Sequence, residues 1–152
     1  MIVLSTRLSA ERRPASGRLV LPFEVRSRSR FRARLQSGEA VGVQLPRGEI
    51  LRGGDQLLAS DGRVIEVAAA NEEVSTVRGE DGAQLARAAY HLGNRHVPLQ
   101  IGAGWIRYGH DHVLDDMVRG LGLAVSIEAA PFEPEAGAYP AHAGAAHEHS
   151  HD

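Results

Sequence analysis

Asp81-Gly-Ala-Gln-Leu-Ala-Arg-Ala-Ala-Tyr-His-Leu-Gly-Asn94 decides how the second half of this chain is read. Asp81 is suited to accept from the free N–H groups that open a helix. Leu85, Ala88, Ala89 and Leu92 then share one face at helical spacing, and Gly93-Asn94 provides a stop. Residues 73–79 read as a strand before this helix, and residues 97–101 and 104–108 as two strands after it, joined by a Gly-containing turn. Asp111 caps a second helix with Leu114, Met117, Val118 and Leu121 as its buried stripe and Gly122 as its stop, and residues 123–129 close the pattern as a strand. The order β-α-β-β-α-β predicts a ferredoxin-like domain over residues 71–130, with two helices packed on one antiparallel sheet.

Upstream the period is different. Residues 18–25, 29–35, 40–45, 56–59 and 64–70 read as strands, punctuated by Ser37-Gly38, Pro46-Arg47-Gly48, Gly53-Gly54-Asp55 and Asp61-Gly62. Short, closely spaced strands without helical period predict a small all-β domain over residues 1–70, and hence an α+β chain. From Pro131 onward Pro, Glu, Ala and Gly dominate and no hydrophobic period survives, so residues 131–152 are expected to form a disordered, His-rich tail.

Composition excludes several functions. The chain has no cysteine, which removes disulfides, zinc ribbons and thiolate nucleophiles, so any metal is held by nitrogen and oxygen. No apolar run approaches the roughly 20 residues that span a bilayer, and Met1-Ile-Val-Leu4 runs straight into Ser, Thr and Arg, so the expected location is the cytoplasm with no membrane partner. Arg26, Arg28, Arg30, Arg32 and Arg34 fall on one strand face and Val25, Phe31, Ala33 and Leu35 on the other, which reads as the solvated face of a half-exposed strand. A nucleic-acid surface would interleave stacking aromatics with those charges, and Phe31 stands alone on the opposite face. No nucleophile–base pair, phosphate-cradling loop or paired-carboxylate motif is present, so no catalytic residue is expected and the chain does not read as an enzyme.

The histidines point elsewhere. All 8 lie beyond residue 90, and His142, His147, His149 and His151 crowd the end. Neutral imidazole is the commonest protein ligand for zinc, copper and nickel, and a pliable segment with imidazoles at every second residue can wrap one ion. Ala, Gly, Glu and Ser interrupt the run, unlike a purification tag. Of the others, His91 adjoins the stripe residue Leu92 and reads as structural, and His96 stands alone in a loop just past the first helix. His110 and His112 flank the cap of the second helix as His-Asp-His, a spacing that can hold one ion between two imidazoles when the backbone is extended.

Tyr90-His-Leu-Gly-Asn-Arg-His96, then Pro98-Leu-Gln-Ile101, then His110-Asp-His-Val-Leu-Asp-Asp-Met117 together resemble the signature of the UreE family, the nickel metallochaperones of urease maturation. Ser29-Arg30, Leu45-Pro-Arg-Gly48 and Leu51-Arg-Gly-Gly-Asp55 are similar to that family's first domain. The resemblance implies a homodimer whose ferredoxin-like domains meet near His96, so that two copies approach one shared Ni²⁺. It implies secondary metal sites at His110 and His112, tail histidines as feeders, and partners in the urease maturation GTPase and the apo-urease accessory complex. The N-terminal domain would dock a peptide or partner.

Cu²⁺ and Zn²⁺ accept the same donors as Ni²⁺. Two other readings therefore stay open at this point: a general divalent-metal buffer or store, and a non-catalytic adaptor whose tail is incidental.

Overall fold

A computed structural model describes residues 1–136, so His142, His147, His149 and His151 lie outside the described residues. The described chain is α+β and forms two compact units, Met1–Ala70 and Asn71–Glu135.

The first unit contains β1 (Ile2–Leu8), β2 (Gly17–Leu21), α1 (Phe23–Arg26), β3 (Arg30–Arg34), β4 (Ala40–Gln44), β5 (Gln56–Ala59) and β6 (Val64–Ala69). They form one sheet in the order β2-β6-β5-β1-β4-β3. The β1/β4 and β2/β6 pairs are parallel and the others antiparallel. The sheet curls until the amide of Gln36, just past β3, donates to the Arg18 carbonyl on β2 at 2.8 Å, giving a barrel-like form. Alternation along the strands sends Leu4, Leu19, Val41, Val43, Leu57, Ile65 and Val67 into one core. Asp61-Gly62 makes the β5–β6 turn, where Gly62 takes a φ of 93° that a side chain would resist.

Two features depart from expectation here. β1 was not foreseen, yet it pairs with both β4 and β5 in the sheet interior. The strand expected over residues 18–25 stops at Leu21, because Pro22 cannot donate to a ladder and opens the one-turn α1. Arg26 therefore leaves the solvated strand face and is fully buried, its Nε donating to the Leu21 carbonyl at 3.0 Å and its Nη1 to the Leu51 carbonyl at 3.2 Å. Arg30, Arg32 and Arg34 do occupy the exposed face of β3, with Phe31 and Ala33 packed against the core.

The second unit runs β7 (Asn71–Arg78), α2 (Gly82–Asn94), β8 (Gln100–Gly102), β9 (Trp105–Gly109), α3 (His112–Gly120) and β10 (Val125–Pro131). Its sheet is antiparallel throughout, in the order β10-β7-β9-β8. Ala88 and Leu92 from α2, Val118 from α3, and Val77, Ile106, Tyr108 and Leu123 share one core. The strand expected from residue 97 begins only at Gln100, since Pro98 has no amide to pair. The tail does not begin at Pro131 as expected, since residues 131–135 belong to the second unit. Pro131 closes the β10 register opposite Asn71, Phe132 is buried, and the amides of Glu133 and Glu135 donate to the Gln100 side chain and the Leu99 carbonyl at 2.9 and 2.8 Å.

Candidate metal centre

Asp81 caps α2 as its chemistry suggests, the carboxylate accepting from the amides of Ala83 at 2.9 Å and Gln84 at 3.4 Å. The far end differs from expectation. Gly93 and Asn94 continue the helix, and the residue that leaves it is His96, with a φ of 59°. It is the one non-glycine residue with positive φ among the described residues. The His96 amide donates to the Gly93 carbonyl at 3.0 Å and the Val97 amide to the Leu92 carbonyl at 3.3 Å. That pair of bonds is the Schellman closure of a helix, whose left-handed position normally belongs to glycine.

The chain supplies its own control. α3 closes by the same pattern, with Gly122 donating to the Arg119 carbonyl at 2.9 Å and Leu123 to the Val118 carbonyl at 3.5 Å, and there the left-handed residue is glycine, at a φ of 93°. Of two equivalent positions, one carries an exposed imidazole where backbone energetics favour no side chain at all. Histidine is one of the few side chains that enter this region with any frequency, so the position is uncommon for a non-glycine residue.

The other histidines sit in unlike settings. His91 is exposed on α2 with its ring edge-on to Tyr90, centroids 5.3 Å apart, in keeping with a structural role. His112 opens α3 and is exposed. Between them in sequence, Asp111 is committed to the helix end, accepting from the amides of Val113 at 2.8 Å and Leu114 at 3.2 Å. His110 is largely covered, with Nδ1 3.1 Å from the Ser75 hydroxyl and 3.1 Å from Oδ2 of Asp115.

Asp115 is the residue that sequence reasoning missed. It is 1% exposed, and its Oδ1 accepts from the Tyr108 hydroxyl at 2.6 Å. Its spacing three residues before Val118 placed it on the inward side of α3, but its partners are Tyr108 on β9 and His110 just after it, which no helical period reports. Burial, and then the hydrogen bond to Asp115, push the Tyr108 phenol up from its ordinary value.

Among the described residues no three His, Asp or Glu side chains converge as a ligand set. His96, His110 and His112 are therefore not gathered into one site by a single copy of this part of the chain. Each offers at most an incomplete coordination sphere.

Residues 4–70 match the family of the UreE urease accessory protein, N-terminal domain, and residues 72–152 that of the UreE urease accessory protein, C-terminal domain. The chain belongs to the UreE family. A urease accessory protein UreE of Alkalilimnicola ehrlichii is 67% identical over 139 residues, covering 91% of this chain and 85% of the relative. A UreE of Pseudomonas putida strain F1 is 58% identical over 141 residues, covering 91% and 84%. A UreE of Enterobacter sp. strain 638 is 54% identical over 140 residues, covering 91% of each chain.

Proposed function

We propose that this protein carries Ni²⁺ for assembly of the urease active site, as a homodimer in which the His96 residues of two protomers share one ion. The observation that carries the reading is the exposed imidazole at the left-handed end of α2, where α3 has glycine. Its membership of the UreE family, whose relatives bear the name urease accessory protein, supports the urease context.

One imidazole is a poor site, but an isologous interface sets each residue near the axis opposite its twin and doubles the donors without further sequence. His142, His147, His149 and His151 supply additional nitrogen donors, and water completes the sphere. His110 and His112 take ions secondarily. The strand order β10-β7-β9-β8 supports a ferredoxin-like reading of the second unit, which we assign to metal binding and dimerisation, with residues 1–70 as the docking domain.

The chemistry is capture and release without covalent change. Imidazole and oxygen donors exchange readily, and their Irving–Williams order favours copper over nickel, so nickel is selected by supply and by the receiver. The receiver is the urease maturation GTPase together with the apo-urease accessory complex, in the cytoplasm. The protein performs no catalysis of its own.

Native mass spectrometry of the full chain under graded nickel tests this. The expected result is a dimer holding one tightly bound ion, then weaker ones. Truncation after Pro140 lowers the ion count and spares the dimer and the shared ion, whereas His96→Ala removes that ion. Loss of every ion on truncation overturns the role of His96.

A further inference from the structure

Three elements of the second unit bring polar groups together beneath His110. Ser75 on β7 and Tyr108 on β9 are fully buried, and Asp115 on α3 is nearly so. A carboxylate in such a place is stable only where protons are aimed at it. Oδ1 receives one from Tyr108 at 2.6 Å. Oδ2, equally buried, receives no aligned hydrogen bond, and the nearest group able to bring a proton is Nδ1 of His110 at 3.1 Å.

The proton count then constrains the ring. Tyr108 has one hydroxyl proton and gives it to Asp115, so its oxygen is left as an acceptor. The Ser75 hydroxyl rotates to suit its neighbour and can accept from a ring N–H. Oδ2 of Asp115 can present only lone pairs to Nδ1, at 3.1 Å, and the Ser75 hydroxyl stands at the same distance in a position to accept. A bare Nδ1 would set its lone pair against that of a buried carboxylate, whereas a protonated one turns a proton toward it and can donate to Ser75. A neutral imidazole carries one N–H, so its free lone pair is on Nε2.

We propose that Asp115, backed by Ser75 and Tyr108, is a positioning residue that fixes His110 in the Nδ1–H form, so that His110 takes a divalent cation through Nε2. The inference rests on the reading of His110 as a secondary metal ligand. Carboxylates set behind imidazoles in this way fix tautomer and ring orientation and raise donor strength. His112, two residues on, has no such support: it is exposed and makes no side-chain hydrogen bond among the described residues. The His-Asp-His pair is thus unequal, with one oriented donor and one free one.

Long-range ¹H–¹⁵N NMR of the full-length, metal-free protein at pH 8 tests the assignment, with His110 identified by the signals lost in His110→Gln. The expected wild-type pattern is a protonated Nδ1 and a bare Nε2. Asp115→Asn presents an amide N–H to Nδ1 and is expected to move the proton to Nε2. Zinc serves as a diamagnetic probe. It should shift Nε2 of His110 in the wild type, with an affinity at that ring lowered about 10- to 100-fold in Asp115→Asn and unchanged at His96.

A wild-type His110 that is protonated on Nε2, or zinc that shifts His96 but not Nε2 of His110, overturns the inference alone. Zinc that shifts no histidine ring overturns the carrier reading beneath it. Should Asp115→Asn fail to fold, the wild-type tautomer and its zinc response decide.

Discussion

The Tyr108 hydroxyl reaches Oδ1 of Asp115 across 2.6 Å, tying β9 to α3 inside the core of the second unit. Tyr108→Phe keeps the ring and strips the donor, leaving a buried carboxylate short of a partner. That costs about 1–3 kcal/mol, read as a lower urea midpoint. The same contact predicts an alkaline limit. The folded phenol titrates above its ordinary value of 10.0, so the unfolded chain releases this proton first. Stability from this group is complete below that pH and declines as pH rises beyond it. Tyr108→Phe should flatten that alkaline slope, and an unchanged slope would remove Tyr108 as its source.

His96 separates ligation from backbone strain. A non-glycine residue in the left-handed region costs roughly 1–2 kcal/mol, partly balanced by the roughly 0.5–1 kcal/mol that glycine loses in chain entropy. His96→Gly should therefore match or slightly exceed the wild type in stability, and His96→Ala should fall below His96→Gly. If His96 plays the proposed role, both lose the tightest nickel-binding step in calorimetric titration. A His96→Gly variant markedly less stable than the wild type would mean that the imidazole has a structural contact that its exposure does not suggest.

What could be read from the sequence follows the range of the interactions involved. Asp81 and Asp111 cap α2 and α3 as expected, because a cap joins residues two and three apart and its chemistry is local. The strand at Gln56–Ala59 fell where expected for the same reason, fixed by Asp55 before it and Asp61-Gly62 after it. Arg26 was misplaced because its partners are carbonyls of Leu21 and Leu51, and nothing in an alternating Arg run reports a chain reversal at Pro22. His96, His110 and His112 could be named by residue type, and only the family resemblance ranked His96 above the other two. The left-handed turn at His96 depended on α2 running through Gly93, and the cluster around His110 on Ser75, which is 35 positions away in sequence.

The first unit carries an acid-sensitive tie. Arg63 binds both oxygens of Glu39, at 2.8 and 2.6 Å, and its Nε meets Oδ2 of Asp61 at 2.8 Å. The hydrogen bond from Arg63 holds the Glu39 carboxyl below its ordinary 4.5, and the Arg63 backbone and side chain together hold Asp61 below 3.8. Both groups are depressed in the folded state, so their stabilisation is present above those ordinary values and is lost as pH falls through the folded ones. The cluster is solvent-exposed, so the effect is small and weakens with salt. Arg63→Gln should reduce the drop in thermal midpoint between pH 5 and pH 3 at low salt. An identical drop in the variant would show that other carboxylates set the acid limit.

Trp105 offers the last and most direct check, because it is the only tryptophan. In the β8–β9 register it stands opposite Gly102, and its indole folds across that glycine so closely that a Cβ there would overlap the ring. The Arg107 guanidinium lies over the same indole, 4.5 Å from its centroid. Gly102→Ala must therefore expel the indole from its seat and break the cation–π contact, worth about 0.5–2 kcal/mol for a guanidinium that is mostly covered. The expected outcome is a change in tryptophan emission and a lower unfolding midpoint, with the nickel binding proposed for His96 unaffected because the strain is confined to the β8–β9 hairpin. Unchanged emission in Gly102→Ala would mean that the ring does not rest on this glycine.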